Sequence, residues 1–314
     1  MSPRETVSIV VPLLDEAPTI EALNARIWAA ADAHALPIVE VLFVDDGSSD
    51  ASWQRIAALA ERDERVRGLR LRRNFGKATA LDLGIRASRG RLVVTMDADL
   101  QDDPSELPRF LAALEPGVDL VSGWKERRED PWSKTFPSKI FNRVTSWLSG
   151  VDLHDFNCGF KLYRREIFDE VTLYGELHRF VPVLAAARGY GVVELPVRHH
   201  ARQHGVSKYG TRRLLKGFVD LLTVLMLTRF AQRPGHLFGG LGVFLGFFGF
   251  CLLIYLSVLR IFFGMPIGDR PLLLLGIMLS IIGVQVLLFG ILAELFLSRT
   301  QPRPPTSLVA ERCN

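Results

Sequence analysis

Apolar residues fall in short blocks along the first two thirds of the chain and in two long blocks near its end. Up to residue 213, short segments with apolar residues at 7–11, 39–44, 66–71, 92–95 and 119–122 predict strands. Residues 19–35, 50–62, 77–87 and 104–114 predict the helices between them. Strands that are apolar at consecutive positions suit a sheet covered on both faces. The alternation therefore predicts an α/β fold with a mostly parallel sheet.

The late blocks are of another kind. Residues 236–259 and 271–293 carry no charged side chain, and each exceeds the roughly 20 residues needed to cross a bilayer core. Two transmembrane helices are expected, at 236–263 and 271–297, with a tail at 298–314. Gly239, Gly240, Gly242, Gly246 and Gly249 crowd the first span, a spacing that permits close helix contact and leaves a homo-oligomer open. Residues 214–230 are apolar except for Lys216, Asp220 and Arg229. They are too short and charged for a span, so 214–235 is expected to connect domain and membrane in the interface plane. The basic, aromatic stretch 125–142, with Trp132, Phe136 and Phe141, either lies on an anionic membrane surface or packs its rings on the domain.

Charge sets the orientation. Arg212, Arg213, Lys216, Arg229 and Arg233 precede the first span, and Arg299 and Arg303 follow the second. The connecting loop has only Arg260 and Arg270, offset by Asp269. This asymmetry predicts an inner-membrane, multi-pass protein with residues 1–213 and both termini in the cytoplasm. No signal-peptide core precedes the first strand. The 314 residues carry a net charge of +4, with pI near 9.1. The basic excess is assigned to the membrane, and no nucleic-acid partner is expected. Cys158, Cys251 and Cys313 are scattered, as suits a reduced compartment without a disulfide framework.

The candidate chemistry lies at strand ends. In LVVTMDADLQD, residues 92–102, a buried strand leads into Asp97, Asp99, Gln101 and Asp102. Carboxylates at the carboxyl end of a strand in an open α/β sheet face the ligand crevice. Their i, i+2 spacing in an extended segment puts Asp97 and Asp99 on the same side of the backbone, where they suit Mg²⁺ or Mn²⁺ bridging a diphosphate. The alternative is a loop whose aspartates cap the helix starting near Pro104. Two further strands end in Asp15-Glu16 and in Asp45-Asp46-Gly47-Ser48-Ser49-Asp50. Three acidic ends on one rim favour a nucleotide–metal site. Ser48 or Ser49 is expected to cap the following helix.

VSIVVPLLDE, VLFVDDGSSD, NFGKATAL and TMDADLQDDP, in that order, resemble the successive motifs of family 2 glycosyltransferases. CGFKLYRREIF, LHRFVPVLA and HHARQHGVSKYG resemble the polyprenyl-phosphate branch of that family. The resemblance covers about residues 5–230. It implies a GT-A, Rossmann-like, mostly parallel sheet, here followed by the interfacial helix region and two transmembrane helices. It implies transfer of a hexose, with glucose favoured, from a nucleotide-sugar, with UDP-sugar favoured. The acceptor would be a polyprenyl phosphate, with undecaprenyl phosphate favoured, for cell-envelope glycan modification.

Residue by residue, the resemblance gives Pro12, Glu16 and Asp46 to the base and ribose. It gives Asp97, Asp99 and Gln101 to a divalent metal (Mg²⁺ or Mn²⁺) and the diphosphate, and Arg202 and Lys208 to donor phosphates and acceptor. Lys125 stands where many relatives carry Arg and would supply charge for the lipid phosphate. Asp15 replaces the more usual Asn. Asp155 either orients acceptor or sugar, or caps local structure. His178-Arg179-Phe180 falls where processive synthases carry Gln-x-x-Arg-Trp, which is absent. His199, His200 and His204 lack a matching zinc ligand set. The competing readings are a glycolipid synthase acting on a lipid hydroxyl and a non-catalytic nucleotide-sugar-binding scaffold in the membrane.

Overall fold

The structure is a computed structural model that describes residues 5–126, 132–198, 212–228, 234–268 and 270–300. Side chains are described throughout these segments except at 132–140, 212–219 and 298–300. The chain divides into two compact units that meet between Leu225 and Met226.

The first unit is built on seven strands: β1 (Val7–Leu13), β2 (Ile38–Asp45), β3 (Val66–Arg70), β4 (Leu92–Thr95), β5 (Leu120–Trp124), β6 (Lys161–Arg164) and β7 (Val192–Pro196). Their order is β3-β2-β1-β4-β6-β5-β7. All neighbours are parallel except β6, which runs antiparallel to β4 and β5. The five strands read from the pattern are thus present, and the sheet is mixed. The two strands that the pattern missed are short: β6 is KLYR and β7 is VVELP, neither with a run of core residues long enough to stand out.

Alternation along the strands divides the core. Ile9, Val11, Val41, Phe43, Val94 and Leu162 face α1 (Ile20–His34), α2 (Ser52–Arg62) and α4 (Leu107–Ala112) through Ile20, Leu23, Ile27, Ile56 and Phe110. Val10, Leu42, Val44, Val93 and Tyr163 face α3 (Lys77–Ala87), α6 (Ile167–Glu170) and α7 (Val181–Ala186). Gly84 of α3 lets the helix lie on the sheet, because a Cβ there would stand 2.6 Å from a methyl of Val10.

A third apolar cluster joins Leu153, Phe156, Leu177 and Phe180 to Leu221, Val224 and Leu225 of α8 (Arg212–Thr228). Phe141 and Leu148 of α5 (Trp132–Ser149) pack against it. The outer side of α5 leaves Trp147 78% exposed. Of the aromatic stretch, Phe141 packs on the domain, while the side chains of Trp132 and Phe136 lie outside the described residues.

The helix expected at 104–114 is shorter and broken. A 3-10 turn, Pro104–Glu106, leads into α4, and Asp103 accepts a hydrogen bond from the Ser105 amide at 3.0 Å. The capping role belongs to Asp103. Ser48 and Ser49 do not cap α2; they bind the loop after β1, and Asp50 accepts from the Ser52 amide.

The second unit contains α9 (Pro234–Phe263) and α10 (Pro271–Thr300), both long and apolar enough to cross a membrane. They pack on each other through small residues. A Cβ on Gly242 would lie 2.7 Å from the Gly283 carbonyl, and one on Gly249 would lie 2.8 Å from that of Gly276. The glycine stripe is therefore used inside the chain at 242, 246 and 249, where the spacing alone had left self-association open. Phe244, Phe247, Phe262, Leu274 and Leu292 are exposed on the outside of the pair, as suits helices long and apolar enough to cross a membrane.

Candidate active site

Because β1, β2 and β4 are parallel neighbours, the segments that follow them lie on one rim. Pro12 sits near the end of β1, opposite Val44 and past the last residue paired with β4. No ladder bond is lost to its missing N–H. Asp15 turns the chain away at φ 56°, in the left-handed region that Asp and Asn tolerate. Its amide donates to Ser48 Oγ at 2.9 Å, and its Oδ1 accepts from the Ser49 amide at 2.8 Å. The Glu16 amide donates to Ser52 Oγ at 3.0 Å. The first two acidic motifs thus form one stitched loop pair. Asp and Asn share both the backbone tolerance and the acceptor oxygen that this needs, so the replacement at 15 is physically mild.

Asp46 is buried, and its two oxygens accept from the amides of Phe75 and Gly76 at 2.8 and 2.9 Å. It ties the end of β2 to the start of α3. This fastening delivers Lys77, the first residue of α3, whose ammonium pairs with Asp97. Sequence reasoning quoted the NFGKATAL motif without giving Lys77 a role. Its signal, a lone base at a glycine-preceded helix start, is weak until Asp97 is placed beside it.

Asp97 and Asp99 do not lie in an extended segment. β4 ends at Thr95, the chain turns at 98–99, and buried Leu100 has φ 61°. A bulky residue in that region costs about 1–2 kcal/mol, which the surrounding core must hold. The expectation of two carboxylates aligned by strand pleating is thus corrected. The turn keeps both of them at the strand end, and Asp99 Oδ1 accepts from the Gln101 amide at 3.3 Å.

Asp102, also buried, binds the Asp97 amide at 3.3 Å with one oxygen and stands 3.6 Å from Lys125 Nζ with the other. Burial by itself would raise the Asp97 pKa. The nearby ammonium groups of Lys77 and Lys125 more than reverse this and hold it well below the usual carboxylate range. Burial works to lower Lys125, but Asp102, with Asp97 and Asp155 beyond it, leaves it above its ordinary value. Both groups are charged at neutral pH.

The segment 154–159 closes the site from the other side. Its start is held by Glu194 of β7, which accepts from the amides of His154 and Asp155 at 3.0 and 2.9 Å. The His154 ring stacks on Trp124. Asp155 is 1% exposed, and its Oδ1 accepts from the Asn157 amide at 3.0 Å. At the far end Gly159 lies against Asp97: a Cβ there would stand 2.8 Å from both carboxylate oxygens. Burial pushes the neighbouring Cys158 thiol up to about 12, which leaves it inert. His178, on the 3-10 turn Leu177–Arg179, is held well below its ordinary pKa by burial and then by Lys77, and is neutral.

Asp97, Asp99, Gln101, Lys125 and Asp155 are thus gathered near the end of β4, with Pro12, Glu16 and Asp46 along the rim. Arg202 and Lys208 lie outside the described residues, as do His199, His200 and His204. Among the described residues no group of three or more His, Cys, Asp or Glu side chains forms a metal cage. Two carboxylates with an amide oxygen at 101 still fit Mg²⁺ or Mn²⁺. Such ions bind through one or two carboxylates and complete their shell with water and substrate phosphate.

Residues 8–172 match the family described as glycosyl transferase family 2. The chain is 40% identical over 310 residues to a dodecaprenyl-phosphate galacturonate synthase of Rhizobium johnstonii, covering 96% of this chain and 90% of the relative. It is 35% identical over 290 residues to an undecaprenyl-phosphate 4-deoxy-4-formamido-L-arabinose transferase of Aeromonas hydrophila, covering 92% and 87%. Among solved structures, mannosyl-3-phosphoglycerate synthase of Rubrobacter xylanophilus superposes with a TM-score of 0.54 at 21% identity, over 73% of this chain and 75% of that one. Glucosyl-3-phosphoglycerate synthase of Mycobacterium tuberculosis, in complex with Mn²⁺ and UDP-glucose, gives 0.52 at 21% identity, over 71% and 79%. Family match, near-complete coverage by these relatives and a sheet shared with solved sugar transferases agree: the chain is a glycosyltransferase and belongs to glycosyl transferase family 2.

Proposed function

We propose that this chain is a membrane-bound, inverting glycosyltransferase that moves a sugar from a nucleotide-sugar to a polyprenyl phosphate. One observation carries the reading. Relatives alike over more than nine tenths of the chain bear names that specify a polyprenyl-phosphate acceptor, and that span includes the apolar helix pair.

The chemistry follows from the groups present. A lipid phosphate oxygen is already anionic near neutral pH, so attack on the sugar C1 needs no strong general base. The barrier lies in the departing nucleoside diphosphate, whose growing negative charge has to be met by fixed positive charge. Lys77 and Lys125 are partly exposed cations held on the carboxylates of Asp97 and Asp102, and Arg202 and Lys208 are assigned to the same phosphates. Asp97, Asp99 and Gln101 would hold Mg²⁺ or Mn²⁺, which when bound neutralises the diphosphate. Pro12, Glu16 and Asp46 line the base and ribose end, and Asp155 faces acceptor or sugar. A single displacement inverts the anomeric centre.

A UDP-sugar is the preferred donor. Glucose was the expectation from the family resemblance, whereas the relatives' names specify galacturonate and 4-deoxy-4-formamido-L-arabinose. The sugar is therefore to be read from a donor panel containing all three. Both helices are assigned as membrane spans, with the first unit and both termini in the cytoplasm, where nucleotide-sugars are made. Purified full-length protein is incubated with the panel and undecaprenyl phosphate or diacylglycerol. Release of nucleoside diphosphate only with the lipid phosphate is the expected result. Release with diacylglycerol, or with no lipid, overturns the acceptor assignment.

A further inference from the structure

Lys161 is the first residue of β6, paired with Thr95 on one side and Ser122 on the other. It is 2% exposed, in a sheet position that ordinarily takes an apolar residue. Its ammonium makes no salt bridge within 4.0 Å among the described residues. It is held instead by two main-chain carbonyls of the preceding loop, those of Cys158 and, at 3.4 Å, of Phe156. A buried charge without a carboxylate partner is costly, and a methionine would fill similar space without that cost.

What the lysine holds is the segment that shapes the site. With carbonyls 156 and 158 drawn inward, the loop folds around the ammonium, and the next carbonyl, of Gly159, accepts from Thr95 Oγ1 at 2.8 Å. Gly159 then lies against the Asp97 carboxylate. Asp155 is fixed at the other end of the same loop by Glu194.

We propose that Lys161, assisted by Thr95, is a positioning residue that sets the 155–159 loop against Asp97 and so fixes where Asp155 stands relative to the donor. The proposal rests on the transferase reading above, and neither Lys161 nor Thr95 is among the residues assigned to hold donor, metal or lipid. Reacting atoms misplaced by about 1 Å can cost about 100-fold in rate without loss of binding. The effect therefore belongs in kcat.

The test uses full-length protein in detergent, with Lys161→Met, Lys161→Arg and Thr95→Val. Lys161→Met is expected to lower kcat by about 30-fold or more with the donor KM within about threefold. Lys161→Arg, which keeps a donor to both carbonyls, is expected to recover kcat to within about fivefold. Amide exchange in peptides covering 154–160 should quicken about tenfold in Lys161→Met while β1 and β2 stay protected. A kcat within threefold of wild type overturns the proposal. So does exchange that quickens equally throughout the sheet, which would make Lys161 a residue of general stability. If Lys161→Met does not fold, Thr95→Val decides: local loosening at 154–160 with a lower kcat supports the proposal, and wild-type behaviour in both overturns it. Wild-type protein inert toward every lipid phosphate would sink the transferase reading, and the exchange measurement would still decide the loop.

Discussion

Gly159→Ala isolates the geometry of the site from its chemistry. The substitution removes no charge and no hydrogen bond. Gly159 is not among the residues with positive φ, so alanine is tolerated by the backbone and narrows the unfolded ensemble, an effect worth about 0.4–1 kcal/mol in favour of folding. The added Cβ, however, would stand 2.8 Å from both oxygens of Asp97, where ordinary contact begins at 3.4 Å. The carboxylate must retreat by the difference, about 0.6 Å, from the position that Lys77 and Lys125 hold. Functional groups need placement to about 0.5 Å, and a 1 Å error costs about 100-fold. A fall in kcat/KM of about 10- to 100-fold is therefore expected, equal to about 1.4–2.7 kcal/mol of transition-state stabilisation. Steady-state transfer to undecaprenyl phosphate gives kcat/KM, and a thermal melt in the same detergent gives stability. Wild-type kcat/KM in a variant with an unchanged melt would refute the claim that Asp97 is held at a sterically defined position.

Four other outcomes are expected. Glu40 is fully buried and accepts from Ser8 Oγ at 2.6 Å, Arg67 at 2.6 Å and the Arg89 amide, so Glu40→Ala should cost about 3–5 kcal/mol in a denaturant titration. Burial works to raise the Glu40 pKa, but its bonds to Ser8 and Arg67 leave it below the ordinary glutamate value. The stability it contributes is therefore full above about pH 4.5 and falls as pH drops through the lower folded value, a dependence Glu40→Gln should remove. Gly283→Leu would drive a side chain into the backbone at Gly246 and the Gly242 carbonyl and should separate α9 from α10, read as lost cross-linking between cysteines placed on the two helices. A cysteine introduced near Gly268 should react with an impermeant reagent only from outside the cell, and reaction only from the cytoplasmic side would reverse the assigned topology.

Much of this protein is legible along the chain because the signals are local. Runs made mostly of apolar and β-branched residues at 7–11 and 92–95 mark strands buried on both faces, whatever packs on them. Residues 236–259 and 271–293 mark membrane helices because nothing charged interrupts them. The acidic strand ends are legible because parallel neighbours must deliver their carboxyl ends to one rim. The antiparallel strand β6 was not legible: four residues beginning with a lysine carry no periodicity, and only pairing with Thr95 and Ser122 makes them a strand. The turn at Asp97–Asp99 was misjudged for the same reason, since Leu100 adopts a left-handed conformation that no isolated leucine prefers. Lys77, Lys161 and Gly159 acquire meaning only when α3 and β6 meet Asp97 across 20, 64 and 62 positions of sequence. Sequence determines which residues can bear charge or bend. The tertiary structure decides which of them meet, because contacts between distant segments are set by the packing of whole elements and leave no mark in the spacing of residues.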